Sequence, residues 1–177
     1  MIELVAGGAR SGKSSYALQI AEGIPGNHIS IATAEAHDVA MQQRIERHQQ
    51  ERSSVWQLLE TPLDMASAVR QHGAGNILLI DCLTLWLTNW LCAETSESES
   101  WLDGWDAQKN AFLEALEDTS ADVVLVTNEV GQGVVPMGKL SRDFVDHAGW
   151  LHQAVAAVAD NVTLVTFGIP QQIKSSN

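Results

Sequence analysis

Gly7, Gly12, Lys13 and Ser14 meet the pattern Gly-x-x-x-x-Gly-Lys-Ser within the run Gly7-Gly8-Ala9-Arg10-Ser11-Gly12-Lys13-Ser14. Glycines let a backbone wrap a phosphate with its N–H groups pointing inward. A helix that opens straight after such a loop brings its positive end to the same spot. In that setting Lys13 reaches the β and γ phosphates of a nucleoside triphosphate, and Ser14 offers its hydroxyl to Mg²⁺. Arg10 and Ser11 lie inside the loop, where they can add contacts.

Two carboxylates follow strand-like runs. Asp81 closes Ile77-Leu78-Leu79-Ile80 and is the first choice for orienting a Mg²⁺ shell. Asp is also a preferred N-cap, so Asp81 could instead start the next helix. Glu129 is the rival for the metal side: it follows Val123–Thr127 and Asn128, at a strand tip, where α/β folds place ligands. It reads equally as a loop carboxylate facing water. His48 forms a third group, with Arg44 and Arg52 one turn away on either side. An imidazole flanked by guanidinium groups could attack a nucleotide phosphate while the arginines offset transition-state charge. From composition alone the same segment is a solvated helix face with an ordinary histidine. His28, His37, His72, His147 and His152 share no ligand spacing.

The elements needed to position these residues are visible in the hydrophobic pattern. Ile2–Ala6 is a short apolar strand and Ser14–Gly23 has helical spacing, so the glycine loop lies between strand and helix. Further strands are predicted over His28–Thr33, Trp56–Glu60, Asn76–Asp81 and Asp122–Thr127, with Val162–Phe167 as the last. Helices are predicted over Asp38–Ser53, Asp64–Gln71, Leu83–Leu91, Trp101–Glu117 and Leu140–Ala159. Glu94–Ser100 reads as a mobile loop and Gly131–Gly138 as a glycine-rich one. Continuous apolar strands alternating with helices indicate burial on both faces and a parallel sheet.

A chain of 177 residues with no internal repeat or long linker fits a single domain over 1–177. The net charge of -12 argues against a general nucleic-acid binder, which needs clustered Lys and Arg. Ile77–Leu91, the most apolar stretch, is broken by Asp81, Thr84, Thr88 and Asn89, so no membrane span is predicted. The start lacks a basic region before its apolar run, unlike a signal peptide. Cys82 and Cys92 are expected to be buried free thiols, and the cytoplasm is the expected compartment. Trp86, Trp90 and Trp150 are expected in the core or between subunits rather than as ring platforms.

Several separated segments together resemble one family, the bifunctional adenosylcobinamide kinase/adenosylcobinamide-phosphate guanylyltransferase of cobalamin biosynthesis. They are the loop at 7–14, Ala32-Thr33-Ala34, and Arg44-Ile45-x-x-His48-x-x-x-Arg52 with Trp56 and Glu60 downstream. Asp81-Cys82-Leu83-Thr84 with Thr88-Asn89 follows, then Val126-Thr127-Asn128-Glu129-Val130-Gly131 with Gly133 and Val135-Pro136. Arg142, Ala148-Gly149 and Gly168-Ile169-Pro170 complete the match, which spans Ile2 to Pro170. Departures are Met137-Gly138-Lys139-Leu140 after Pro136, His152-Gln153 where Asn-Gln is usual, and a single histidine in the polar helix.

The resemblance implies a P-loop NTPase-type three-layer α/β fold with a mostly parallel central sheet. It also implies two reactions. ATP or GTP phosphorylates the aminopropanol hydroxyl of adenosylcobinamide. GTP then guanylylates a histidine, and the phosphate of the first product takes the GMP to give adenosylcobinamide-GDP. The family's covalent histidine falls on His48. Its nucleotide contacts fall on the loop, on Ala32, Thr33 and Ala34, on Gln49, Gln50, Glu51 and Arg52, and on Glu60 and Asp81. A homotrimer is implied as well. Two other readings remain at this level: a plain small-molecule P-loop kinase, and a nucleotide-binding regulatory module.

Overall fold

The computed structural model describes residues 1–33, 56–92 and 100–176. The predicted helix Asp38–Ser53 lies outside the described residues, as does 94–99 of the predicted loop; Ser100 opens a helix instead. Among the described residues the strands are β1 (Ile2–Gly7), β2 (Asn27–Ala32), β3 (Gln57–Glu60), β4 (Asn76–Asp81), β5 (Asp122–Asn128), β6 (Asn161–Thr166) and β7 (Ile169–Lys174). The helices are α1 (Lys13–Glu22), α2 (Met65–Arg70), α3 (Leu83–Cys92), α4 (Ser100–Asp118) and α5 (Lys139–Val158).

The strands form one sheet in the order β3-β2-β4-β5-β1-β6-β7, parallel throughout except for β7, which pairs antiparallel with β6. The strand predictions agree except at the C-terminal end, where β6 is not the last strand. Phe167 (φ 55) and Gly168 (φ 78) make a two-residue turn, and Thr166 pairs with Ile169 across it. Left-handed backbone at both turn residues matches the twist of a tight hairpin.

The central strands are buried on both faces, as their unbroken apolar runs require. On one face Val5, Ile77, Leu79, Val124 and Val126 pack with Ala17 and Ala21 of α1. On the other, Leu4, Ile29, Ile31, Leu78, Ile80, Val123 and Leu125 meet Met65 and Val69 of α2, Leu83 and Leu87 of α3, Phe112 and Leu116 of α4, and Leu151 and Val155 of α5. Side chains alternate across a strand, so neighbours such as Ile77 and Leu78 serve opposite layers. The result is a P-loop-type α/β architecture of three layers.

Trp86 is fully buried against Trp105 and Phe112, with ring centroids 4.8 and 5.1 Å away, and its indole N–H donates to Leu63 O at 2.7 Å. Trp150 is different: more than half exposed, it touches His147 edge-on at 5.0 Å. Among the described residues no helix is long and apolar enough to cross a membrane.

Candidate functional site

In a parallel sheet the carboxyl ends of neighbouring strands lie along one edge. Gly7 ends β1 opposite Asn128 at the end of β5. Asp81 ends β4 opposite Val126 of β5 and Ala32 at the end of β2, and Ala32 in turn faces Glu60 at the end of β3. The predicted residues Ala32, Glu60, Asp81, Asn128 and Glu129 therefore share the edge from which the glycine loop springs. Asp81 stands one strand removed from the loop's own strand, whereas Asn128 and Glu129 are on its immediate neighbour. Glu129 N donates to Gly7 O at 3.0 Å, which ties the two strand ends together.

The loop is tightly turned. Ser11 N donates to Gly8 O at 3.2 Å, and Arg10 (φ 58) and Gly12 (φ 96) take left-handed backbone. A Cβ on Gly7 would lie 2.4 Å from Ser11 Oγ and 2.6 Å from Val165 O, so a side chain there cannot coexist with this loop. Gly12 occupies the N-cap position of α1, which has no side-chain cap and no acidic residue in its first turn. The first N–H groups of a helix need an outside acceptor. An uncapped start with no acidic residue in its first turn suits an anion. Lys13 is only 6 % exposed, and its Nζ donates to Gly8 O at 3.1 Å, beneath the same turn. Ser14 is half-buried one residue on, while Gly8, Ala9 and Arg10 are exposed. Ser11 Oγ is buried without a hydrogen-bond partner.

Behind the edge lies a frame of buried polar groups. Thr33 is fully buried; its hydroxyl donates to Cys82 O at 2.8 Å and accepts from Cys82 N at 2.9 Å. Asn89 Nδ2 donates to Thr33 O at 2.7 Å and to Pro62 O at 3.0 Å, so α3 fastens the ends of β2 and β3. Asn128 Nδ2 donates to Thr84 Oγ1 at 3.0 Å, joining β5 to the first turn of α3. These bonds satisfy polar groups buried at the strand ends. The first helical bond of α3 runs from Trp86 N to Cys82 O at 3.2 Å. Cys82 thus holds the capping position, and Asp81 stands one residue outside it, at the open edge.

His152 has a role that spacing in the sequence does not reveal. It shares a 2.6 Å hydrogen bond with the buried hydroxyl of Thr127, one residue before Asn128. Burial lowers its pKa, and the carboxylate of Glu129 opposes the shift. Its place behind β5 depends on α5 crossing the sheet, which no local pattern encodes.

The two cysteines differ, contrary to expectation: Cys82 is buried and Cys92 is exposed. Burial, and then the charge of Asp81, push the Cys82 thiol up to about 11. At pH 8 it stays protonated and shielded, and only a thiolate is a good nucleophile. A maleimide reagent on native protein at that pH should modify Cys92 alone, with Cys92→Ser abolishing the fast phase. Rapid modification of Cys82 would contradict the packing at the end of β4.

Among the described residues no group of three His, Cys, Asp or Glu could hold a metal ion. Mg²⁺ characteristically draws on substrate phosphates and a few hard oxygens. Ser14 and Asp81 offer such oxygens. Arg44, His48, Gln49, Gln50, Glu51, Arg52 and Ala34 lie outside the described residues.

Comparison with known proteins gives a consistent result. A family model described as cobinamide kinase/cobinamide phosphate guanyltransferase matches residues 3–173. The chain is 45 % identical over 177 residues to the bifunctional adenosylcobalamin biosynthesis protein CobP of Pseudomonas aeruginosa, covering 98 % of each chain. It is 36 % identical to the bifunctional adenosylcobalamin biosynthesis protein CobU of Escherichia coli K12, covering 98 % of this chain and all of that one. Among solved structures, a prototypical ATPase from a type III secretion system superposes with a TM-score of 0.57 at 11 % identity. That alignment takes in 93 % of this chain and about half (51 %) of the ATPase. A protein of Pyrococcus horikoshii superposes with a TM-score of 0.53 at 8 % identity, over 99 % of this chain and 87 % of that one. At such identities these likenesses bear on the fold alone.

Proposed function

The chain belongs to the cobinamide kinase/cobinamide phosphate guanyltransferase family, and we propose that it carries out that family's two transfers at one nucleotide site, with His48 as the covalent carrier. In the first transfer, the aminopropanol hydroxyl of adenosylcobinamide attacks the γ phosphorus of ATP or GTP. The bond to the β-phosphate oxygen breaks, the nucleoside diphosphate leaves, and the hydroxyl proton passes to a base. In the second, an imidazole nitrogen of His48 attacks the α phosphorus of GTP and pyrophosphate leaves. A phosphate oxygen of adenosylcobinamide phosphate then attacks the same phosphorus and displaces His48, giving adenosylcobinamide-GDP.

The observation that carries this reading is the uncapped, acid-free start of α1 under the glycine loop, with Lys13 buried beneath it. Both transfers require a clamped polyphosphate, and the loop from Gly7 to Ser14 supplies backbone donors and one ammonium for it. A covalent carrier divides one hard displacement into two easier ones. Ser14 and Asp81 would hold Mg²⁺, which when bound offsets charge on the polyphosphate. Ala32, Thr33, Ala34, Glu60 and Gln49–Arg52 are assigned to nucleotide contacts. Thr33 would act through its grip on Cys82, since its hydroxyl is engaged there and its carbonyl accepts from Asn89. Arg44, Asn128 and Glu129 are further candidates around the phosphates. The working assembly is proposed to be a cytoplasmic homotrimer.

The test is direct. Purified protein with GTP, Mg²⁺ and adenosylcobinamide should yield adenosylcobinamide phosphate and then adenosylcobinamide-GDP, read by mass. A protein that stops at the phosphate is a kinase alone. One that binds nucleotide but converts no corrinoid is neither.

A further inference from the structure

A second recess lies beside the nucleotide edge. It is an apolar cavity of about 330 Å³ between the C-terminal half of α3 and the start of α5, lined by Thr88, Leu91, Cys92, Pro136, Leu140 and Phe144 among others. Its position is fixed relative to the sheet edge. Thr84, in the first turn of α3, is bonded to Asn128 at the sheet edge. With a rise of about 1.5 Å per residue, Thr88 lies about 6 Å and Leu91 about 10 Å further along the helix. The other wall is joined to the same edge, because the segment from Glu129 to Pro136 leads from the end of β5 to the cavity rim.

That segment is apolar where loops are normally polar. Val134 and Met137 are each 96 % exposed, and Val135 and Leu140 are mostly exposed. Concentrated exposed apolar surface next to a recess marks a binding surface rather than ordinary exterior. The loop is also held in place. Arg142 Nη1 donates to Pro136 O at 3.5 Å and to Met137 O, and Arg142 N donates to Gly138 O at 3.0 Å. This fastens the rim to the first turn of α5.

We propose that this cavity and its rim seat the corrinoid acceptor, an assignment that rests on the cobinamide reading above. The occupant must carry a hydroxyl to the sheet edge while burying apolar bulk one to two helical turns away. A corrin ring fits this: methyl groups stud its periphery, amides stand among them, and the reacting hydroxyl sits at the end of a flexible arm. The cavity is too small for the whole ring. An edge of the ring enters between Leu91 and Phe144, and the remainder rests on Val134, Val135 and Met137. The hydroxyl of Thr88 donates to Thr84 O at 2.9 Å and keeps its acceptor capacity for an amide N–H of the ligand. Arg142 is a positioning residue that keeps the rim where the ring needs it.

The test uses full-length protein and two variants at exposed positions. Ser141→Trp places an indole in the cavity from the surface of α5, and Val134→Ser/Met137→Ser removes apolar contact from side chains that support no core. KM for adenosylcobinamide and for GTP, thermal stability and solution mass are measured for each. Both variants should raise the corrinoid KM by roughly ten- to a hundredfold, the usual scale for lost hydrophobic contact in a pocket. KM for GTP, melting temperature and solution mass should be unchanged. Wild-type corrinoid KM in both variants overturns the assignment. So does a change in solution mass at unaltered corrinoid KM, which would make the patch a contact between copies of the chain. A wild-type protein inactive toward cobinamide would instead overturn the functional reading beneath it.

Discussion

Replacing Lys13 with alanine is expected to stop both transfers, each rate falling by roughly 10²–10³-fold or more, the usual cost of losing one preorganised transition-state donor. The two reactions break different bonds of the triphosphate, but both leaving groups gather negative charge around the β phosphate. One ammonium beneath the loop would answer that charge in either case. Lys13 is suited to the task because it is buried and its Nζ is already directed to Gly8 O, so little reorganisation is needed when a phosphate arrives. The variant should fold, since the sheet on either side of β1 is unaffected, and its melting temperature is the control. Guanylyl transfer that persists at the wild-type rate while phosphorylation stops would mean two separate nucleotide sites.

Exchanging His48 for asparagine should separate the activities. Asparagine keeps some size and polarity but cannot act as a nucleophile, so formation of adenosylcobinamide-GDP should fall on the order of 10³-fold or more. Phosphorylation of adenosylcobinamide should continue within a few-fold of wild type, because in the proposed first transfer the acceptor's own hydroxyl attacks the γ phosphate. The contrast between the two rates is what matters, since misfolding or poor nucleotide binding would depress both together. A variant that forms adenosylcobinamide-GDP at the normal rate would remove the covalent route.

Much of this molecule could be read locally. The loop at 7–14 could, because the glycines, the lysine and the serine that shape a phosphate cradle are contiguous. The positions of β4 and β5 could, because strands buried on both faces must be continuously apolar, as Ile77–Ile80 and Val123–Val126 are. β7 could not: Ile-Pro-Gln-Gln-Ile-Lys is almost wholly exposed on the sheet edge, so it needs no apolar run and tolerates Pro170. Its one available signal was the Phe167-Gly168 pair between two extended segments. The hydrogen bonds of Asn89 to β2 and β3, and of His152 to β5, join residues far apart in the chain. Nothing in the neighbouring residues announces them. Cys82 is buried as expected, but Cys92 is not, because an apolar neighbourhood in sequence does not tell which face of α3 it occupies. Asp81 illustrates a gain from structure: its choice between helix cap and open edge was undecided by type and spacing, and the first hydrogen bond of α3 gives the cap to Cys82.

The step on which the proposed function rests is the transfer of GMP to an imidazole from a triphosphate held by the loop. Intact mass measured at alkaline pH after incubation with GTP and Mg²⁺ examines that step by itself, without the acceptor. Wild-type protein should gain the mass of one guanylyl group (GMP less water), stable to base, lost in acid and discharged by adenosylcobinamide phosphate, and the His48→Asn variant should gain nothing. An unmodified wild-type protein, or the same adduct on the variant, would contradict it.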